Sequence, residues 1–322
     1  MCRVHAKVLA LVSFFSVLMM TSASPISAQE WTSGNRLMIH LGGGLPVGSF
    51  GQPYNLAADI EAAVAQTRNS NLPTGTPAER TEIGNATLGF NAGLTDLFKL
   101  TPNFSLIGTL EVSYNPFNAS DYTNQYNGLF RDPAFLQRLG LNTSSSGINI
   151  ALDVNAVIPP RAYLNTSLLL GGRYDIPISG SLSLFASAQA GLLYGIYPEF
   201  VTNLAITQTV SGTSFGIPLS TQQKGEQNSK ISTMSAVAFA YKLGAGVLVN
   251  NRINIGIGYF GGQPQYGPAN VTVETKVGGS ITVGTMTTAL PSAANTTTRE
   301  VATRTNLPVG ILQLSVGYLI GD

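Results

Sequence analysis

Polarity alternates residue by residue in several stretches of this chain. Between Phe104 and Phe117, Leu106, Gly108, Leu110, Val112 and Tyr114 share one parity, while Ser105, Thr109, Glu111, Ser113 and Asn115 share the other. A period of two is the mark of a strand with unlike faces. Ser181 to Pro198 repeats it, with Leu182, Leu184, Ala186, Ala188, Ala190 and Leu192 opposite Ser183, Ser187, Gln189 and Gly191. Ile253 to Gly261 sets Ile253, Ile255, Ile257 and Tyr259 against Asn254, Gly256 and Gly258. Five further segments complete a set of eight: Arg36 to Gly43, Thr87 to Leu100, Tyr163 to Pro177, Ser235 to Val249 and Leu307 to Ile320.

The connections between these segments differ sharply in length. Thr101-Pro102-Asn103, Ile178-Ser179-Gly180 and Asn250-Asn251-Arg252 are tight, whereas Gly44 to Ala86, Asn118 to Ala162, Glu199 to Met234 and Gly262 to Asn306 are long. Long and short alternate, beginning and ending with a long one. An up-and-down transmembrane barrel has this rhythm, with long loops outside and short turns in the periplasm. The pattern therefore predicts an all-β, antiparallel, up-and-down transmembrane β-barrel of eight strands.

A count of ten or twelve stays open, because the long connections contain strand-like runs of their own. Ile148 to Ala156 alternates, and Leu204 to Leu219 around Ser211-Gly212 and Val271 to Met286 around Gly278-Gly279 read as hairpins above the membrane. Asp132-Pro133 ahead of Phe135-Leu136, with Gly140 behind, predicts a short helix, and Leu56, Ile60 and Val64 predict another.

Alternation alone does not say which face looks inward. The tyrosines do better. With the first strand ascending from the periplasm, Tyr114, Tyr194 and Tyr259 fall near the outer ends of strands, and Tyr174 and Tyr318 near the inner ends. Two belts at separate heights are what two membrane interfaces select. The apolar parity then faces lipid, and the lumen receives His40, Asn91, Glu111, Arg173, Gln189, Lys242, Asn254 and Gln313. A charge on the lipid face near the midplane costs about 2–4 kcal/mol, so one shared inner side for Glu111, Arg173 and Lys242 fits this assignment. Glu111 and Arg173 are expected to pair across neighbouring strands.

Composition fits the same reading. Charged residues make up 10% of the 322, glycines number 35, and the net charge is +1, which gives no basic face for nucleic acid. Arg3, His5 and Lys7 precede the apolar run Val8 to Met20, and Ile26-Ser27-Ala28 follows. This reads as a secretory signal over 1–28, cleaved after Ala28, leaving 29–322 as a single barrel domain. The only cysteine, Cys2, falls inside that segment, so the mature chain has no thiolate for a disulfide, a metal or catalysis. No run of 18 apolar residues follows.

The segment Tyr163-Leu164-Asn165-Thr166-Ser167-Leu168-Leu169-Leu170-Gly171-Gly172-Arg173-Tyr174 resembles the central strand of the bacterial outer-membrane β-barrel domain family, which is similar to OmpA/OmpX-type eight-stranded barrels. Gly42-Gly43-Gly44-Leu45-Pro46-Val47-Gly48-Ser49-Phe50 resembles its first strand and exit. The resemblance implies an outer-membrane location, contact with outer-membrane lipid, and folding by the barrel-assembly machinery. Two departures stand out: Thr166-Ser167 where the family often has proline, and a C-terminal Gly321-Asp322 in place of an aromatic residue.

Enzymatic barrels of the lipid A acyltransferase, deacylase and omptin classes use a histidine near the outer rim. Here the one histidine beyond the signal, His40, sits mid-strand with no accompanying partner pattern. The chain is therefore expected to be no enzyme, with no cofactor and no metal site. Its four long loops are expected to meet an extracellular ligand, in an envelope-integrity or surface-recognition role. A small porin-like channel, a lipid-modifying barrel enzyme and a soluble secreted lipocalin-like binder are the alternatives.

Overall fold

The computed structural model describes residues 35–53, 55–57, 80–81, 84–138, 144–145, 148–214, 217–267, 269–301 and 305–321, all within one unit, Gly34–Asp322. The expected signal segment lies outside these residues. So does most of the helix expected from Leu56, Ile60 and Val64, of which Leu56 and Ala57 are described and helical.

In chain order the elements are β1 (Asn35–Pro46), a 3-10 turn (Gly48–Phe50), β2 (Arg80–Thr81), β3 (Gly89–Lys99), β4 (Phe104–Pro116), α1 (Ala119–Leu129), α2 (Pro133–Arg138), β5 (Ser144–Ser145), β6 (Ile148–Val157), β7 (Ala162–Ser179) and β8 (Leu182–Tyr197). Then come β9 (Phe200–Ser214), β10 (Ile217–Ile231), β11 (Met234–Val249), β12 (Ile253–Gly262), β13 (Gln265–Tyr266), β14 (Ala269–Val283), β15 (Met286–Val301), β16 (Thr305–Asn306) and β17 (Val309–Ile320).

Eight of these close into an antiparallel barrel of order β1-β17-β12-β11-β8-β7-β4-β3. They are the eight segments read from the sequence, and the remaining strands lie outside the barrel wall, so the count is eight. Closure comes from β1 pairing with β17 over ten residue pairs, Leu37 opposite Ile320 through Pro46 opposite Ile311. Asn250 and Asn251, with φ of 50° and 57°, make the tight turn between β11 and β12. Two consecutive residues of positive φ give that turn the twist its flanking strands need, and asparagine tolerates this better than most side chains.

The barrel's polarity is the reverse of a soluble protein's. Val237, Phe239, Leu170 and Ile257 project outward with 65–67% of their surface exposed. The inward parity buries Asn91, Thr109, Glu111, Asn115 and Arg173 to 3% exposure or less. Only a solvent of hydrocarbon makes that arrangement favourable, since burying polar groups costs free energy and exposing leucine to water gains none. The fold is thus a transmembrane up-and-down barrel. Asp96 is an exception among the outward residues, but it sits opposite Leu37, level with Ile320 and beyond Tyr318 toward the tight-turn end.

Above the barrel stands a second sheet of six strands, in the order β15-β14-β10-β9-β6-β5. The run Ile148–Val157 is one of its strands. The two expected hairpins exist with different turns. Ser211-Gly212 lies within β9, and the chain reverses between Ser214 and Ile217. Gly278-Gly279 lies within β14, which turns into β15 at Gly284, a residue with φ of 60°. The glycine pair instead marks a bulge: Val277 faces Ala293 and Gly279 faces Leu290, so Pro291 and Ser292 oppose the single Gly278. The helix expected at Asp132-Pro133 is α2, where Asp132 Oδ1 accepts from Ala134 N at 2.9 Å. The helix α1 was not anticipated; its N-cap is Asn118, whose side chain accepts from Asp121 N at 3.3 Å.

Candidate functional site

Three layers stack along the barrel axis, and the sequence-selected polar residues occupy the lower two. In mid-lumen, Glu111 on β4 receives three donors from three other strands. His40 Nε2 lies 3.1 Å from its Oε2, Gln313 Nε2 donates to its Oε1 at 2.6 Å, and Lys242 Nζ donates to its Oε2. Taking a carboxylate out of water costs several kcal/mol, and one adjacent cation with two further polar partners offsets that cost. Beside it Thr95 and Thr109 share a hydroxyl hydrogen bond of 2.9 Å.

Nearer the tight-turn end, Arg173 donates from Nε and Nη2 to Asp175 Oδ1 at 2.9 and 2.7 Å, and from Nη1 to Asn254 Oδ1 at 2.9 Å. Its guanidinium carbon stands 4.0 Å from the Phe185 ring centroid, within cation–π range. The expected Glu111–Arg173 pair does not form. Register explains why: Glu111 lies opposite Ser167 on β7, and Arg173 is six residues farther along that strand. At ~3.3 Å per residue this is ~20 Å. The two residues sit on neighbouring strands but at different heights within the barrel. Met38, Leu97, Ile107, Leu248 and Leu319 form an apolar pad at the same end.

Between the two ionic groups lies a cavity of about 60 Å³, bordered by Thr95, Thr109, Ser187 and Gln189. It has room for a few waters and none for a lipid chain or a sugar. Several buried groups of the lumen have no partner among the described residues: both side-chain atoms of Asn91 and of Asn165, Oδ1 of Asn115, Oε1 of Gln189 and Gln313, and Nδ1 of His40. Buried amides of this kind are ordinarily satisfied by water.

The outer mouth is closed by an apolar cork. Phe50 from the 3-10 turn and Leu307 ahead of β17 are fully buried, and with Ala86, Phe117, Ile158, Tyr266 and Ala269 they pack against Tyr163, Leu169, Leu193, Phe260 and Ile311 of the wall. Polar ties fix it. Tyr163 Oη donates to Gly84 O at 2.6 Å, Ala86 N to Phe50 O at 3.0 Å and Gly84 N to Ser49 O at 2.8 Å. Burial, reinforced by neighbouring Tyr197, pushes the Tyr266 phenol well above its ordinary range. Every long loop contributes a side chain, the third through Phe200 and Ile231 at the cork's edge. None of these cork positions was picked out from the sequence, because only the closed mouth brings the loops together.

Outside, Tyr114 stacks on Phe90 with ring centroids 5.1 Å apart and Tyr259 leans on Tyr241 at 5.9 Å, both near the outer rim. Tyr194 lies on the outer wall between Thr166 and Val237. Toward the tight-turn end Tyr174 and Tyr318 each expose 49% of their surface, and Phe98 joins them. Phe90, Phe98 and Tyr241 were missed, although they follow the same parity rule as their neighbours.

The six-stranded sheet has a polar face. Asn203, Asn228 and Glu274 align across β9, β10 and β14, with Ala205, Glu226 and Lys276 in the next row of the same face. Together with Asn155 they line a shallow concavity of about 310 Å³. At its base Glu199 holds Lys230 at 2.8 Å and Arg161 at 3.6 Å. Among the described residues no group of three metal-ligating side chains converges.

No family model matches the chain, and no curated protein matches it significantly. Among solved structures it is similar to the COG4313 outer membrane channel from Pseudomonas putida F1, at 10% identity over 93% of this chain and 100% of that one, with a TM-score of 0.26. It is also similar to the TodX deltaS2S3 mutant monoaromatic hydrocarbon channel, at 8% identity over 91% of each chain, with a TM-score of 0.20. By its own architecture, the chain is an eight-stranded transmembrane β-barrel with a filled polar lumen, a corked outer mouth and a second sheet mounted above it.

Proposed function

We propose that this is a non-enzymatic outer-membrane protein whose barrel serves as a sealed anchor and whose work is recognition by the extracellular sheet. The observation that carries the reading is the cork. It closes the mouth with side chains from all four long loops, so it both blocks passage and fixes the loops to a rigid support. Export by a cleaved signal and insertion by the barrel-assembly machinery belong to this reading. The polar sheet face, with Asn155, Asn203, Asn228, Glu226, Glu274 and Lys276, offers hydrogen-bonding groups to an extracellular ligand. His40 acts as a donor to a structural carboxylate: it is 3% exposed, bonded to Glu111 and cut off from substrate by the cork.

A second reading, a gated channel, is favoured by one feature: the column of water-requiring amides at Asn91, Asn165, Gln189 and Gln313 beneath the cork. Planar-bilayer recording separates the two. The purified protein is expected to be electrically silent, and a steady unit conductance from the intact chain overturns the sealed anchor. Fractionation with heat-modifiable migration on a detergent gel tests the location: the protein is expected in the outer-membrane fraction, shifting in mobility on boiling.

A further inference from the structure

The two edges of the extracellular sheet are built differently. On the β6 side, Asn127 of α1 donates from Nδ2 to Ala156 O at 3.2 Å and accepts from Ala156 N at 2.7 Å through Oδ1. One carboxamide thus supplies the donor and the acceptor that a neighbouring strand would supply. Farther along, β5 pairs with the same strand through Ser144 and Ser145. This edge is occupied at both ends. On the other side, among the described residues, the 16-residue β15 pairs with β14 alone. From Met286 to Thr298 each residue except Leu290 is exposed.

Exposed edges are usually guarded by charge, by proline or by shortness. Between Met286 and Thr298 there is no charged residue, and the one proline, Pro291, is spent in the bulge. The bulge divides the edge and leaves Ala293 to Thr298 as an unbroken run. Six residues span ~20 Å of strand, enough for a strand of ordinary length. Alternate N–H and C=O groups along that run point away from β14, as the geometry of any edge strand requires.

We propose that β15 is a docking edge that accepts an extended, amphipathic segment of a partner polypeptide as a seventh strand. The side chains around the run specify the segment's chemistry. On one face Ala293 lies opposite Val277, which remains 47% exposed, so a bulky apolar residue of the incoming strand covers both. On the other face Ala294 and Thr296 lie opposite Lys276 and Glu274. These small side chains leave the lysine and the glutamate within reach of polar or charged residues on the partner. Backbone pairing supplies affinity, and the two faces supply selectivity.

This inference rests on the sheet being the recognition surface, but its test is independent of conductance. The probe is a fluorescein-labelled peptide with the sequence of residues 271–283, the part of β14 that already pairs with β15 on its inner side, titrated onto the full folded chain in detergent micelles. Saturable binding is expected, with new amide-exchange protection at alternate residues of 293–298. Thr296→Pro, which removes an edge N–H, and Ala294→Lys, which adds a guarding charge without removing backbone groups, are each expected to weaken binding at least tenfold while the gel shift of the barrel persists. Absence of binding to the unmodified chain, equal binding by a scrambled peptide, or binding unchanged by both substitutions overturns the proposal. So does protection of the same amides, without peptide, that grows with protein concentration, because the occupant is then a second copy of this chain.

Discussion

The barrel and the sheet above it are made of the same material, antiparallel strands with alternating parity, yet they solve opposite problems. The barrel has no edge: β1 meets β17, every strand has two neighbours, and alternation only has to separate lipid from lumen. The sheet has two edges, and its polar rows at Asn203–Asn228–Glu274 and Ala205–Glu226–Lys276 face the medium. In the barrel, stability turns on what is buried inside a closed wall. In the sheet it turns on how each edge is finished.

The contrast breaks first at Glu111. Replacing it by alanine strands Lys242 in the lumen without its counter-charge and is expected to destabilise the barrel by about 3–5 kcal/mol, the cost of breaking a buried ion pair. Urea titration with gel mobility as readout measures it. The double change Glu111→Gln with Lys242→Met is expected to recover most of the loss, and equal loss in the single and double variants would show that charge is not what matters there. Next comes Asn127→Ala, which uncovers the guarded edge. It is expected to lower the local stability around Ala156 by about 1–3 kcal/mol, the cost of unsatisfied buried groups, seen as faster amide exchange there with no change in the barrel's urea midpoint. If the midpoint moves as well, sheet and barrel unfold as one unit.

A smaller effect is expected at the junction. Tyr163→Phe removes the hydroxyl bond to Gly84 O and should cost about 1 kcal/mol, read as faster proteolysis of the first loop with barrel mobility preserved. The smallest effect is pH-dependent. Burial raises the Tyr266 phenol above its unfolded value, so its contribution to stability is complete below pH ~10 and is lost as pH rises through the folded pKa. Ultraviolet titration should show one fewer late-ionising tyrosine in Tyr266→Phe than in the unmodified chain; identical late phases would remove Tyr266 from that group.

The parts of the fold legible in the sequence are those where lipid imposes the pattern. All eight barrel strands follow from parity and loop rhythm, because a hydrocarbon solvent punishes every misplaced polar residue on the outer face. The lumen side of Glu111, Arg173 and Lys242 is readable for the same reason. Their partners are not, since who meets whom inside depends on register: Glu111 faces Ser167, while Arg173 lies six residues on. The sheet is less legible because water tolerates either parity at its surface. Ser211-Gly212 and Gly278-Gly279 have the composition of turns, yet one lies inside a strand and the other makes a bulge. For α1 the signal is local: Asn118 followed by Asp121, a cap with an acid in the first turn. The cork left no local trace, being a product of four loops meeting.

That meeting fixes an order of events. Leu307 enters the cork just ahead of the last strand, and Phe50 just after the first, so the two ends of the chain's itinerary must both be in place before the mouth can shut. The cork can therefore be complete only in a closed barrel. A barrel missing its final strand has no lid, and its upper sheet stands on an unfinished base. Shortening any one long loop should delay or abolish sealing even when all eight strands are present.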